Sequence, residues 1–204
     1  MNNLSTYIQR FKESDANGDF TWASAIFTEM ILLIQNKQPL QALGDTKSAR
    51  QRPLSFFLID ELASGQANHH IHSMIGMIHL LEVNPEQENC FHHLLSFNSK
   101  STIYVERTMN ILMESKVKLD IKPLLLQQAT LSFGIKLTVL EYAVSMRCGS
   151  SLSPFLAALM KSGYRNEIGQ VLNTVVRDDK QVGTILAEKA INPTMLAKCG
   201  YIKN

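Results

Sequence analysis

Residues 138–143 read TVLEYA, and a few positions later residues 153–161 form a second apolar-striped segment that runs into LMKSGYRN, residues 159–166. The spacing predicts two short helices with Gly163 at the second stop, where a glycine can turn the chain left-handedly. Leu140 fits a core position, and the small Ala143 lets neighbouring helices approach closely. Neither helix is long enough to bury its apolar stripe alone, so a chain of such helices must stack.

Outward from this pair, apolar residues recur at three- and four-residue spacing in block after block, as in Trp22, Ile26, Met30 and Leu33 or Ile71, Ile75, Ile78 and Leu81. The pattern predicts helices over 4–13, 21–36, 54–64, 69–82, 89–97, 103–115, 123–131, 138–147, 152–162, 165–177, 180–190 and 193–198, and no strand. Asn192 followed by Pro193 reads as an N-cap with proline in the first helical position, and Gly200 closes the last helix. Pro39 and Pro53 flank QALGDTKSARQR, which is too polar to be anything but an exposed loop. Residues 96–101 read as a loop between paired helices. The stretch 114–137 holds alternating Val117, Leu119 and Ile121 ahead of PLLLQQATL, and is read as a finger plus an extra helix.

The pair built on TVLEYA resembles an ankyrin repeat, whose first helix opens TPLHxA and whose second ends LLxxGA before a finger-like loop. Thr138, Leu140, Ala143 and Gly163 agree with that pattern; Val139, Glu141 and Tyr164 depart from it. On the same template NCFHHL, residues 89–94, puts His92 at the family's histidine and Phe91 at its leucine, with Lys116 replacing the glycine. RPLSFF, residues 52–57, keeps Pro53 and Leu54, and its partner helix stops at Asn84; an N-terminal half-unit stops at Asn36. The resemblance covers about residues 52–166, with irregular unit lengths. It implies a structural role for His92, tying neighbouring backbone turns together. It also implies a partner-binding concave face of fingers and first helices, with contacts near Ser55, His93 and Glu141 and in the loops holding Lys47, Arg50, Lys118 and Lys136. Irregular ankyrin units rich in Ile, Lys and Asn further resemble effector proteins that intracellular bacteria inject into host cells, which implies the host cytosol.

Composition sets the bounds of this reading. The 204 residues are 45% hydrophobic and 19% charged, which suits one domain with a sizeable core and excludes intrinsic disorder. Ten glycines and six prolines are few for a turn-rich all-β protein. A net charge of +2 gives no electrostatic reason to expect nucleic acid or an anionic membrane. Residues 1–102 carry 7 basic and 10 acidic side chains against 13 and 8 in residues 103–204, but no aromatic residues interleave with the lysines as base stacking requires. Cys90, Cys148 and Cys199 are odd in number, widely spaced and without a CxxC pair, which fits a reducing cytosol. The N-terminus lacks a secretory signal pattern, and the uncharged run 62–81 contains Gln66, Asn68 and four histidines, so it is no membrane span.

All six histidines lie between residues 69 and 93. His69 and His72 stand one helical turn apart, but His79 is about 10 Å further along the axis and no carboxylate or cysteine follows at ligand spacing, so polar flanks of an apolar stripe describe them better than a metal site. Cys90 and His92 or His93 lack an orienting third residue, and cysteine at that place reads as a core plug. Phosphate loops, nucleophile elbows and kinase signatures are absent. Asp60 with Glu61, and Asp178 with Asp179, are adjacent rather than facing and read as solvated helix surface.

The expected fold is therefore all-α: a short ankyrin-like α-solenoid of stacked helix pairs in one domain, with residues 1–51 and 167–204 as helical caps around repeats in 52–166. The chain from Met1 onward is expected to be complete. The expected function is non-enzymatic binding of a protein partner on the concave face, by a chain that is monomeric when unbound, with no metal, cofactor or nucleic acid. A helical metal-dependent or hydrolytic enzyme using residues 69–93 is the alternative.

Overall fold

Asn89, Thr138 and Gln181 each end an extended or turning segment and each begin a short helix, and this recurrence organises the molecule. In the computed structural model the described residues are 53–64, 80–96, 102–115, 119–146, 149–189 and 191–202, with isolated positions 6, 9, 10 and 13. The helices expected at 21–36 and 69–82, apart from residues 80–82, lie outside them.

In chain order the elements are α1 (Leu54–Ser64), α2 (Cys90–Ser96), α3 (Thr102–Glu114), α4 (Ile121–Leu126), β1 (Gln128–Thr130), β2 (Lys136–Thr138), α5 (Val139–Ser145), α6 (Gly149–Lys161), α7 (Arg165–Leu172), β3 (Val175–Arg177), β4 (Lys180–Gln181), α8 (Val182–Glu188) and α9 (Pro193–Lys198). Helix α1 packs on α2, α2 on α5 and α5 on α8, so these four helices make a continuous series of contacts. Helix α3 packs against α1 and α6, and α4 and α7 fill the space between units.

Each start has a local cause. Asn89 accepts the Phe91 and His92 amides on its side-chain oxygen, as an N-cap should. Thr138 and Glu141 form a capping box at the head of α5. Asn192 caps α9 through the Thr194 amide, with Pro193 in the first helical position. The stops of α6 and α9 are duplicates. Gly163 (φ 91°) and Gly200 (φ 90°) are left-handed, the Tyr164 and Tyr201 amides donate to Leu159 and Leu196, and the glycine amides donate to Met160 and Ala197. These paired bonds are Schellman motifs, which only a residue tolerant of positive φ closes without strain.

The chain is not all-α. β1 pairs antiparallel with β2, Ala129 opposite Leu137, and β3 pairs antiparallel with β4, Val175 opposite Gln181. These two hairpins make the fold α/β and overturn the expected all-α solenoid of helix pairs. The helices read at 123–131 and 165–177 stop at Leu126 and Leu172, and the residues after them become strands. In 114–137 the extra helix precedes the finger, the reverse of the order read from the sequence. Residues 167–204 likewise hold a hairpin as well as helices. Strands of two or three residues carry too little alternation for a period of two to be seen.

One apolar cluster runs from α1 to α9. Leu54, Phe91 and Leu140 sit at matching places in the first helices and are buried, as is Ala143. Phe91 meets Phe155 of α6 edge-on with ring centroids 5.1 Å apart, a geometry worth about 1 kcal/mol beyond area burial. Among the described residues no helix is long and apolar enough to cross a membrane.

Candidate functional site

Three turns precede α2, α5 and α8, and they hold every non-glycine residue with positive φ among the described residues: Gln87, Phe133, Asp178 and Asp179. In the first, Asn84 and Glu88 close the turn backbone to backbone at 3.0 Å and the Asn84 side chain accepts the Glu88 amide at 2.8 Å. In the second, β1 and β2 are joined through Leu131–Ile135, closed by the Leu131 amide on the Ile135 carbonyl at 2.8 Å. In the third, Asp178 (φ 48°) and Asp179 (φ 55°) form the two-residue link of a tight hairpin, the left-handed pair that matches strand twist.

Polar ties lock these turns to neighbouring units. The Thr130 amide donates to the Glu86 carbonyl at 2.7 Å, and the Gln127 amide group donates to the Gln87 carbonyl. The Tyr142 hydroxyl donates to the Glu88 carboxylate at 2.5 Å. The His92 ring bridges two places: Nδ1 lies 2.9 Å from the Asn89 side-chain oxygen and 3.2 Å from its backbone amide, and Nε2 lies 3.4 Å from the Leu137 carbonyl. Burial pushes the His92 pKa down to about 4, only partly offset by the Leu137 hydrogen bond and the Glu88 charge. Asn89 also donates to the Leu124 carbonyl at 2.6 Å. Arg177 donates from β3 to Glu141 at 3.2 Å. The three turns therefore stand in one row on a fixed base, with Ala129, Leu137 and Tyr142 forming a small apolar cluster beneath the middle one.

Side chains at the tips are exposed. Phe133 is 101% exposed and Ile135 47%, and Glu86, Lys136, Asp178 and Asp179 of the three turns and their hairpins are exposed as well. Val175, on the next hairpin, is also a largely exposed apolar residue. An exposed aromatic on a rigid loop has the form of a binding contact.

The residues expected at a partner surface fall in three groups. Lys136 is exposed on β2, as a contact residue requires. Lys47, Arg50 and Lys118 lie outside the described residues. Ser55, Glu141 and His93 are already engaged in the fold or covered by it. Ser55 is buried in α1 and Glu141 is 2% exposed, held by Thr138 and Arg177, so neither side chain is available at a surface. His93 lies 2.7 Å from Asp60 and stacks on Phe56 at 4.5 Å, which ties α2 to α1. Ser55, His92 and Glu141, which the sequence reading aligns with the ankyrin histidine, are all buried.

Phe133 and Ile135 carry no motif in the sequence, and Asp178 and Asp179, read there as solvated helix surface, are exposed but form a hairpin turn. The signal was there for the third turn, since VVR-DD-KQV sets two turn-forming residues between short β-prone runs. For Phe133 the neighbouring Gly134 marks a turn, and the helix read over 123–131 ends short of both, which leaves them in the stretch read as a finger plus an extra helix.

Cys90 donates to the Leu80 carbonyl and burial pushes its thiol up to about 12, away from the thiolate a nucleophile needs. No group of three His, Cys, Asp or Glu side chains is placed to hold a metal among the described residues, and His69, His70, His72 and His79 lie outside them. A groove of about 150 Å³ between α3 and α6, lined by Glu106, Asn110, Pro154 and Lys161 among others, is smaller than the roughly 300 Å³ at which small-molecule sites begin. No family model matches the chain, and neither the curated proteins nor the solved structures provide a match.

Proposed function

We propose that the chain is a non-enzymatic protein-interaction module of ankyrin-like units, each a turn or hairpin followed by short helices, which binds a partner protein along the edge formed by its hairpin tips. The observation that carries this reading is Phe133, fully exposed and left-handed at the tip of a hairpin whose base is buried. Support for the ankyrin kinship comes from the recurrence of a turn before α2, α5 and α8, and from His92 tying Asn89 to the Leu137 carbonyl of the next unit. The free, buried thiols of Cys90 and Cys199 suit a reducing compartment such as the cytosol.

The test compares capture from cell lysate by the parent chain and by a chain carrying Phe133→Ser, Ile135→Ser and Val175→Ser together. One protein retained by the parent and lost by a variant of unchanged melting temperature is the expected result. Equal retention by both, or retention of nothing, overturns the reading.

A further inference from the structure

The Phe133 ring does nothing for its own fold. It is 101% exposed, and its backbone (φ 65°, ψ 19°) lies in the left-handed region that bulky L-residues disfavour. Gly134 beside it, at φ 74°, shows the residue type that such a turn ordinarily takes. Yet the hairpin that carries the ring is firmly seated: Ala129, Leu137 and Tyr142 are buried at its base, and Thr130 is bonded to Glu86 at 2.7 Å. A large apolar group held out on a fixed base loses little freedom when it is buried by something else, which is the property of an anchor residue.

The charges around it describe what that something is. Glu86 in the turn before, and Asp178 and Asp179 in the turn after, are exposed, and none forms an ion pair among the described residues. Arg177 and Lys180 stand beside the aspartates but are drawn into pairs with Glu141 and Glu188. Lys136 is the one cation on the β1–β2 hairpin, against three exposed carboxylates on the turns before and after it. Resting on the reading of this edge as the partner surface, we infer that Phe133, with Ile135 beside it, enters an apolar pocket of a partner protein, and that the rim of the pocket is cationic and faces Glu86, Asp178 and Asp179. Desolvation drives the anchor, and the carboxylates steer the approach and select the partner. The same carboxylates are repelled by an anionic lipid surface, so a protein pocket is the occupant that the charge pattern favours.

The experiment places a benzophenone amino acid in the full chain at position 133, at position 145 near the end of α5, or at position 189 beyond α8, and irradiates in cells. The expected result is one protein adduct from position 133, attached within an apolar patch bordered by Lys or Arg, and none from 189. With that protein purified, Phe133→Asn should weaken binding at least about 30-fold. Asparagine tolerates the left-handed turn, so the variant keeps its melting temperature. Glu86→Lys, Asp178→Lys and Asp179→Lys together should slow association about tenfold or more and remove its salt dependence. Adducts from 145 but not from 133 overturn the anchor while leaving an interaction module in place. Charge reversals without effect overturn the cationic rim. Lipid adducts at 133, or flotation with phosphatidylserine vesicles, overturn the protein pocket. No protein adduct from any position overturns both this inference and the function on which it rests.

Discussion

Arg177 reaches from the β3–β4 hairpin to Glu141 at 3.2 Å, joining a guanidinium that is 41% exposed to a carboxylate that is 2% exposed. The carboxylate also accepts the Thr138 amide and hydroxyl, so one side chain caps α5 and holds the next hairpin in place. Arg177→Ala leaves a buried charge with two neutral donors and is expected to cost about 1–2 kcal/mol, between an exposed pair and a fully buried one. Adding Glu141→Gln keeps the capping box and removes the charge, so the double variant should recover at least half of the loss. Urea denaturation of the four chains of this cycle measures the coupling.

His92 gives the fold an acid limit. Its folded pKa of about 4 lies below the ordinary 6.5 because burial disfavours the imidazolium. The unfolded chain therefore binds the proton first as pH falls. The stabilisation is complete above pH 6.5 and is lost progressively between there and about pH 4, on the order of 3 kcal/mol over that window. Urea midpoints measured at steps from pH 7.5 to pH 4 should show this decline, and His92→Gln, less stable at neutral pH, should lack that share of it.

Gly183 lies beneath the Tyr201 ring, and a Cβ there would come within 2.2 Å of the ring's Cδ2. Alanine ordinarily favours a helix over glycine by about 1 kcal/mol. Here overpacking outweighs that preference, because Tyr201 is also held by its hydroxyl contact with Thr184 at 2.8 Å. Gly183→Ala is expected to destabilise by about 1–3 kcal/mol. In a Tyr201→Ala background the same substitution should be neutral or stabilising, and thermal melts of the two pairs distinguish the signs.

Cys90 should be chemically silent while the chain is folded. Its side chain is buried, and the burial that raises its pKa to about 12 leaves almost no thiolate at pH 8. In a chain carrying Cys148→Ser, iodoacetamide at pH 8 should leave Cys90 unmodified over hours and alkylate it within minutes in denaturant. Rapid labelling of the folded chain at Cys90, read by peptide mass, would contradict the packing of α2.

Much of the helical layout was legible because it is written in a repeating apolar stripe. α1 and α9 have the ends read from the sequence, and Leu54, Phe91, Leu140 and Ala143 are buried where the stripe puts them. The β1–β2 hairpin was not legible for the opposite reason: QAT and KLT are stabilised by pairing with each other and by Leu137 and Tyr142, not by a local pattern, whereas in the β3–β4 hairpin the turn signal of Asp178 and Asp179 is overlaid by helical spacing. The inward turn of Ser55 and Glu141 depends on a neighbouring unit pressing over them, which one-dimensional spacing does not contain. Phe133 stands out only once its surroundings are known, since a phenylalanine in a sequence looks like core until nothing covers it.

The left-handed residues have a consequence for how such a chain can change over generations. Gln87, Phe133, Asp178 and Asp179 stand at the crests of turns whose shape is held by backbone bonds and by the buried base. The residues that keep the molecule folded and the residues that face outward at these crests are therefore almost separate sets. A few substitutions among 85–87, 132–135 and 178–179 can rewrite the outward face while Phe91, Leu140 and Phe155 stay as they are. One scaffold could in this way acquire a succession of specificities without ever passing through an unfolded ancestor.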